Sequence, residues 1–135
     1  MDCLFCKIAN KEISAHIICE SEDATAVLDV NPRAPGHTMV LPKVHAENIL
    51  ELSDEKIEGV FKTVKETTDL LNKKLKPEGF TIGINHGKIS GQVVEHLHIH
   101  IIPRWSGDGG GSIHSVVENS PKESLEEIKE LIQKS

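Results

Sequence analysis

The chain has 135 residues, 38% of them hydrophobic and 27% charged, with a formal net charge of −6. That length suits one compact domain around one core, no apolar run approaches the roughly 20 residues that cross a bilayer, and the acidic balance argues against polymeric nucleic acid as a partner. The start Met1-Asp2-Cys3 lacks the basic residues and apolar stretch of a secretory signal, so a cytoplasmic location is expected, and three cysteines read there as reduced thiols or metal ligands rather than a disulfide framework.

In chain order, strand-like runs are expected at Ile17 to Glu20, Ala24 to Asp29 and Thr38 to Pro42. They are bounded by turn chemistry such as Asn31-Pro32 and Ala34-Pro35-Gly36. Ser53-Asp54-Glu55 then offers an N-cap and an acidic first turn, and Ile57, Val60, Phe61, Val64, Leu71 and Leu75 recur at helical spacing before a basic last turn and Pro77. This predicts a helix over about residues 54 to 75. Two further strands are expected, Phe80 to Asn85 and His96 to Pro103. Gly107 to Ser112 reads as a flexible loop. Ser120-Pro121-Lys122-Glu123 reads as a capping box opening a second helix with Leu125, Ile128, Leu131 and Ile132 on one stripe. Strands before and after one long helix imply an α+β fold with a largely antiparallel sheet. The expected organisation is a single domain over 1–135, with a core over 1–105 and a loop and helix over 106–135.

The densest chemistry lies in His96-Leu97-His98-Ile99-His100-Ile101, which alternates with period two. On a strand that pattern puts three imidazoles on one face and Leu97, Ile99 and Ile101 on the other, toward the core. Three histidines in strict alternation are poorly explained as an ordinary polar face, where Thr, Lys or Glu are usual. A three-histidine metal site is one chemical reading, although same-face neighbours about 7 Å apart converge poorly on one ion. Nucleophilic imidazole is the other: a neutral ring donating through one nitrogen to a carbonyl presents a lone pair on the second. A neighbouring imidazole then stabilises phosphate oxygens as charge develops. Upstream, Gly87-Lys88-Ile89-Ser90-Gly91-Gln92 supplies small residues whose backbone N–H groups can approach a phosphate. Cys3-x-x-Cys6 offers one edge of a metal site or a pair of inert buried thiols. A redox pair would sit after a strand, and none precedes Cys3.

His96-Leu97-His98-Ile99-His100-Ile101-Ile102 resembles the signature of the histidine-triad (HIT) superfamily, and the likeness extends through Cys3-Leu4-Phe5-Cys6-Lys7-Ile8, Leu28 to Pro32, Gly36-His37-Thr38 and Pro42 to His45. The resemblance implies a five-stranded antiparallel sheet with two main helices, paired in a homodimer as a ten-stranded sheet. It implies cleavage at a nucleoside α-phosphate, of a nucleoside phosphoramidate or dinucleoside polyphosphate, through a covalent nucleotidyl-histidine. A purine nucleotide is then the expected substrate and no organic cofactor is expected. By matching positions His98 is the nucleophile, His100 contacts the phosphate and His96 supports the site. Asn85 matches a phosphate and nucleotide contact, Gly91 and Gln92 match the phosphate loop, and Asp29 matches the carboxylate that binds ribose hydroxyls, although it also reads as a turn-opening Asp before Asn31-Pro32. Leu4, Phe5, Ile8 and Val30 match the base pocket and equally suit plain core. Val93 stands where many members carry Ser or Thr near the leaving group. Some relatives turn the first triad histidine to structural zinc, which here implies Cys3, Cys6, His45 and His96 as ligands. Nucleotidyl transfer or phosphorolysis, and a nucleotide-binding adaptor without turnover, are the rival functions.

Overall fold

The computed structural model describes residues 3–134; Met1 and Asp2, on which the reading of the chain start partly rests, and Ser135 lie outside the described residues. In chain order the elements are α1 (Leu4–Ala9), β1 (Ile17–Glu20), β2 (Ala24–Leu28), β3 (Thr38–Pro42), α2 (Asp54–Leu75), β4 (Gly79–Gly83), β5 (Ile99–Arg104) and α3 (Leu125–Gln133), with short 3-10 turns between them. The five strands form one sheet in the order β1-β2-β3-β5-β4, and every pairing is antiparallel. The α+β expectation therefore holds.

Helix α2 matches its expected span residue for residue. Ser53 Oγ accepts the Lys56 amide, Asp54 and Glu55 face the positive end of the helix dipole, and Lys73 and Lys74 the negative end. Lys76 then turns left-handed at φ 50° ahead of Pro77. The buried stripe differs from the apolar pattern: Val60, Thr63, Val64, Thr67 and Leu71 are buried, whereas Phe61 and Leu75 are each 41% exposed. Threonine is tolerated there because its hydroxyl bonds back to the preceding turn, Thr63 to the Gly59 carbonyl and Thr67 to the Thr63 carbonyl.

Leu97, Ile99 and Ile101 pack with Val60, Val64 and Leu71 in the larger core cluster, so the expected division of the histidine segment into two faces is present. Ile99→Ala is expected to cost about 2–5 kcal/mol of stability through the cavity it leaves, measurable as a shift in urea midpoint at unchanged slope. A second cluster joins Phe5 and Ala9 of α1 to Val27, Met39 and Leu41.

Four boundaries are corrected. Strand β5 begins at Ile99, not His96, because the Leu97 amide bonds to the Ala46 carbonyl and the His96 amide to the Val94 carbonyl instead of joining a ladder. Strand β2 stops at Leu28 and β4 runs over Gly79–Gly83. The last helix begins at Leu125: its capping box is Ser124 with Glu127, one motif later than Ser120 with Glu123. Helix α1 was not anticipated, since six residues carry too few turns to show a period. Cys3 caps it, its sulfur accepting the Cys6 amide at 3.4 Å.

Candidate active site and metal centre

Hydrogen bonds assign the histidine tautomers from the inside outward. His98 Nδ1 lies 2.8 Å from the His96 carbonyl, which can only accept, so Nδ1 carries the proton and Nε2 keeps a lone pair. Among the described residues no hydrogen bond engages that Nε2. Phe5 stands edge-on to the His98 ring at 5.0 Å between centroids, and His100 does so at 4.9 Å. These two walls hold the imidazole in one plane.

A second relay begins at the backbone. The Arg33 amide donates to His37 Nδ1 at 3.0 Å, which puts the His37 proton on Nε2. That Nε2 donates to His100 Nδ1 at 2.9 Å, so the His100 proton sits on Nε2 and the ring offers a neutral N–H donor. The sequence reading gave His37 no role. The available signal was a histidine in Gly36-His37-Thr38 at the start of a strand, with its importance hidden until β3 paired with β5 and set it beside His100.

Burial dominates the electrostatics here. It pushes His100 down to about 4, with the neighbouring His98 and His37 rings acting in the same direction and Asp29 opposing. It also lowers His37, against the pull of Asp29. A group neutral in the fold and protonated in the unfolded chain weakens folding as pH falls below its unfolded value near 6.5. From His100 alone, stability is expected to drop by about 2 kcal/mol between pH 7 and pH 5, with His37 adding in the same direction. Urea unfolding at the two pH values checks this, and His100→Asn should flatten the dependence.

The two oxygens of Asp29 face different partners. Oδ1 accepts the Asn31 amide at 2.9 Å and closes the turn, while Oδ2 lies 3.5 Å from His37 Nε2 and 4.0 Å from His100 Nδ1. Leu28, Asp29, Arg33 and His37 line a cavity of about 390 Å³.

The loop before the histidines is held by Gln92. Its Oε1 accepts the Gly87 amide at 2.8 Å and its Nε2 donates to the Glu47 and Val94 carbonyls at 2.8 and 3.1 Å. Both ends of this side chain therefore brace the loop. Gly91 is left-handed at φ 103°, a conformation that strains any residue with a Cβ, and its added Cβ would sit 3.5 Å from the Asn85 amide. The four base-pocket candidates differ in burial. Phe5 and Ile8 belong to the second core cluster, while Leu4 is 48% and Val30 83% exposed.

Cys3, Cys6, His45 and His96 do converge: their ligand atoms all lie within 4.8 Å of one another. His96 is fully buried. Its Nε2 donates to the Pro42 carbonyl at 2.9 Å, so Nδ1 presents a lone pair 3.4 Å from both cysteine sulfurs. His45 Nδ1 is 3.2 Å from Cys6 Sγ. Burial carries His96 down to about 4 and keeps it neutral. Burial and the adjacent Cys3 drive the Cys6 thiol up to about 11. Two sulfurs and two imidazole nitrogens with a carbonyl behind one ring form the donor set and outer support of a tetrahedral zinc site, in which neighbouring ligand atoms are about 3.5 Å apart.

Similarity to known proteins agrees with this architecture. The HIT domain family matches residues 10–107. An HIT-like protein of Methanocaldococcus jannaschii is 46% identical over 128 residues, covering 94% of this chain and 98% of its own. The adenosine 5'-monophosphoramidase hnt1 of Schizosaccharomyces pombe is 39% identical over 110 residues, 82% of this chain and 80% of that one. Among solved structures, a HIT family protein from Bacillus anthracis superposes with a TM-score of 0.85 at 32% identity, over 97% of this chain and 92% of that chain. A zinc-bound histidine triad family protein from Mycobacterium smegmatis gives 0.75 at 34%, over 81% and 79%. The residues that set the His98 tautomer lie within the matched stretch, and with a likeness of this extent the chain belongs to the HIT family.

Proposed function

We propose that the protein hydrolyses a purine nucleoside phosphoramidate or dinucleoside polyphosphate at the α-phosphate, with His98 as nucleophile. The observation that carries this reading is the His98 tautomer, a proton held on Nδ1 by the His96 carbonyl and a lone pair on Nε2 beside a neutral His100 donor. Membership of a family that includes adenosine 5'-monophosphoramidases supports nucleotide hydrolysis at the coarser level.

In the reaction His98 Nε2 forms a bond to phosphorus while the bond from phosphorus to the leaving nitrogen or oxygen breaks, its electron pair staying with the leaving group. A water proton goes to that group, and the hydroxide left behind attacks phosphorus and releases His98 and the nucleoside monophosphate. His100 Nε2–H donates to a phosphate oxygen, Asp29 Oδ2 accepts from the ribose hydroxyls, and Asn85 and the Gly91 backbone face the phosphate. Rapid mixing with an adenosine phosphoramidate followed by intact-mass measurement should reveal an adenylyl increment on the native chain and none on His98→Ala. Binding of adenosine monophosphate without any adduct or product would mean an adaptor. A nucleoside diphosphate formed on adding phosphate would mean phosphorolysis.

The same reading assigns structural zinc to Cys3, Cys6, His45 and His96, whose donor set fits it. Zinc held by four protein ligands supplies a rigid cross-link with no open position for water. The chain's own part is to pin α1, and with it Phe5, against the histidine segment. A homodimer through β4 completes the proposal. That strand is a sheet edge, and Phe61 of α2 and Ile82 of β4, each 41% exposed, lie along one groove beside it. Light scattering should show twice the 14.9 kDa chain mass, and a stable monomer at micromolar concentration would refute the pairing.

A further inference from the structure

The segment that follows β3 and the segment that leads into β5 are laced together through backbone carbonyls. Pro42 accepts from His96 Nε2 at 2.9 Å, Ala46 accepts the Leu97 amide at 2.7 Å, and Glu47 accepts from Gln92 Nε2 at 2.8 Å. The first segment carries His45, an exposed residue whose Nδ1 lies 3.2 Å from Cys6 Sγ in the metal-ligating group. The second carries the 86–92 loop. Its fold centres on Gly87, whose carbonyl accepts the Ser90 and Gln92 amides, both at 3.2 Å, and the Ser90 hydroxyl at 3.0 Å. The Gly87 amide donates in turn to Gln92 Oε1 at 2.8 Å.

Gln92 thus works in both directions. Its oxygen closes the loop on Gly87, and its nitrogen grips the carbonyl two residues beyond His45. The two ends belong to one resonance-stiffened amide, so a displacement of the Glu47 carbonyl turns the oxygen that Gly87 depends on. From His45 to Gly87 the path is two residues of backbone and one side chain. Beside that path lie Gly91 and Asn85, which stand so close that a Cβ on Gly91 would sit 3.5 Å from the Asn85 amide.

We infer that Gln92 is a positioning residue through which zinc at Cys3, Cys6, His45 and His96 and phosphate at the 86–92 loop each raise the affinity for the other. The inference rests on the zinc and nucleotide readings proposed above and adds the link between them. With His45 held against Cys6 and His96, the Glu47 carbonyl stands where Gln92 Nε2 reaches it, and the loop keeps one shape. With His45 released, Ala46 stays pinned to Leu97 but the Glu47 end of the segment can turn, and the loop loses its outer anchor. Linkage makes the effect reciprocal: whatever zinc adds to phosphate affinity, phosphate adds to zinc affinity.

The test measures zinc affinity of the full chain by competition with a chromogenic chelator, with and without adenosine monophosphate at a concentration shown by calorimetry to saturate each form. On the native chain the monophosphate should tighten zinc about fivefold or more, the lower end of the usual range for coupled sites. Gln92→Glu keeps an acceptor for the Gly87 amide and loses both N–H donors, so it separates closing the loop from tying it to Glu47. This variant and Gln92→Met should still bind zinc, and the two affinities should come close together in each. Coupling carried by overall stability, or through α1 and Phe5, survives both substitutions, so a native-sized effect in the two variants would overturn the role of Gln92. Equal zinc affinities with and without the monophosphate on the native chain would overturn the coupling while leaving both sites intact. A native chain that holds no zinc would remove the zinc reading, one that binds no monophosphate would remove the nucleotide reading, and the coupling falls with either.

Discussion

His98→Ala is expected to lower turnover of an adenosine phosphoramidate by on the order of 10⁴-fold or more, with little loss of affinity for adenosine monophosphate. The size follows from what the ring does. It splits one displacement into two, and the lone pairs of the other two triad rings are turned elsewhere: His96 Nδ1 faces the Cys3 and Cys6 sulfurs, and His100 Nδ1 accepts from His37. His100→Ala removes a donor and not the nucleophile, so a smaller loss of about 10² to 10³-fold is expected, typical of removing one oxyanion donor. Steady-state kinetics on both variants, with binding of the monophosphate measured alongside, check the order. If His100→Ala proved the more damaging of the two, the assignment of roles would be reversed.

Stripping the metal from the native chain is expected to lower its stability by about 4 kcal/mol at free zinc a thousandfold above its Kd, or more than 10 °C in melting temperature for a chain of this size. Elemental analysis should find one zinc per chain, and none in a Cys3→Ala, Cys6→Ala variant. The loss should reach the active site as well, because Cys3 caps α1 and α1 carries Phe5 against His98. Inert buried thiols predict the opposite outcome: no zinc, no effect of a chelator, and cysteine variants of near-native stability.

Much of this molecule is readable in one dimension. Helix α2 announces itself because 22 residues repeat the apolar period six times between a serine cap and a proline stop. The histidine segment is just as legible, since alternation alone separates Leu97, Ile99 and Ile101 from the three rings. The chemistry of Cys3-x-x-Cys6 was open from its spacing, and the resemblance to relatives supplied His45 and His96 as partners.

Other features depend on contacts between distant residues, which no local pattern encodes. Helix α1 exists because Phe5 and Ala9 find Val27, Met39 and Leu41, not because six residues favour a helix. His37 enters the site only when β3 pairs with β5, and its tautomer is set by the Arg33 amide. Gln92 is consumed in bracing its own loop. Sequence by itself determined the fold class, the long helix and the segment that carries the chemistry, because periodicity and turn residues act locally. The proton positions on three imidazoles and the closeness of four metal-ligating atoms were decided by tertiary structure alone, because each depends on groups brought together from far apart in the chain.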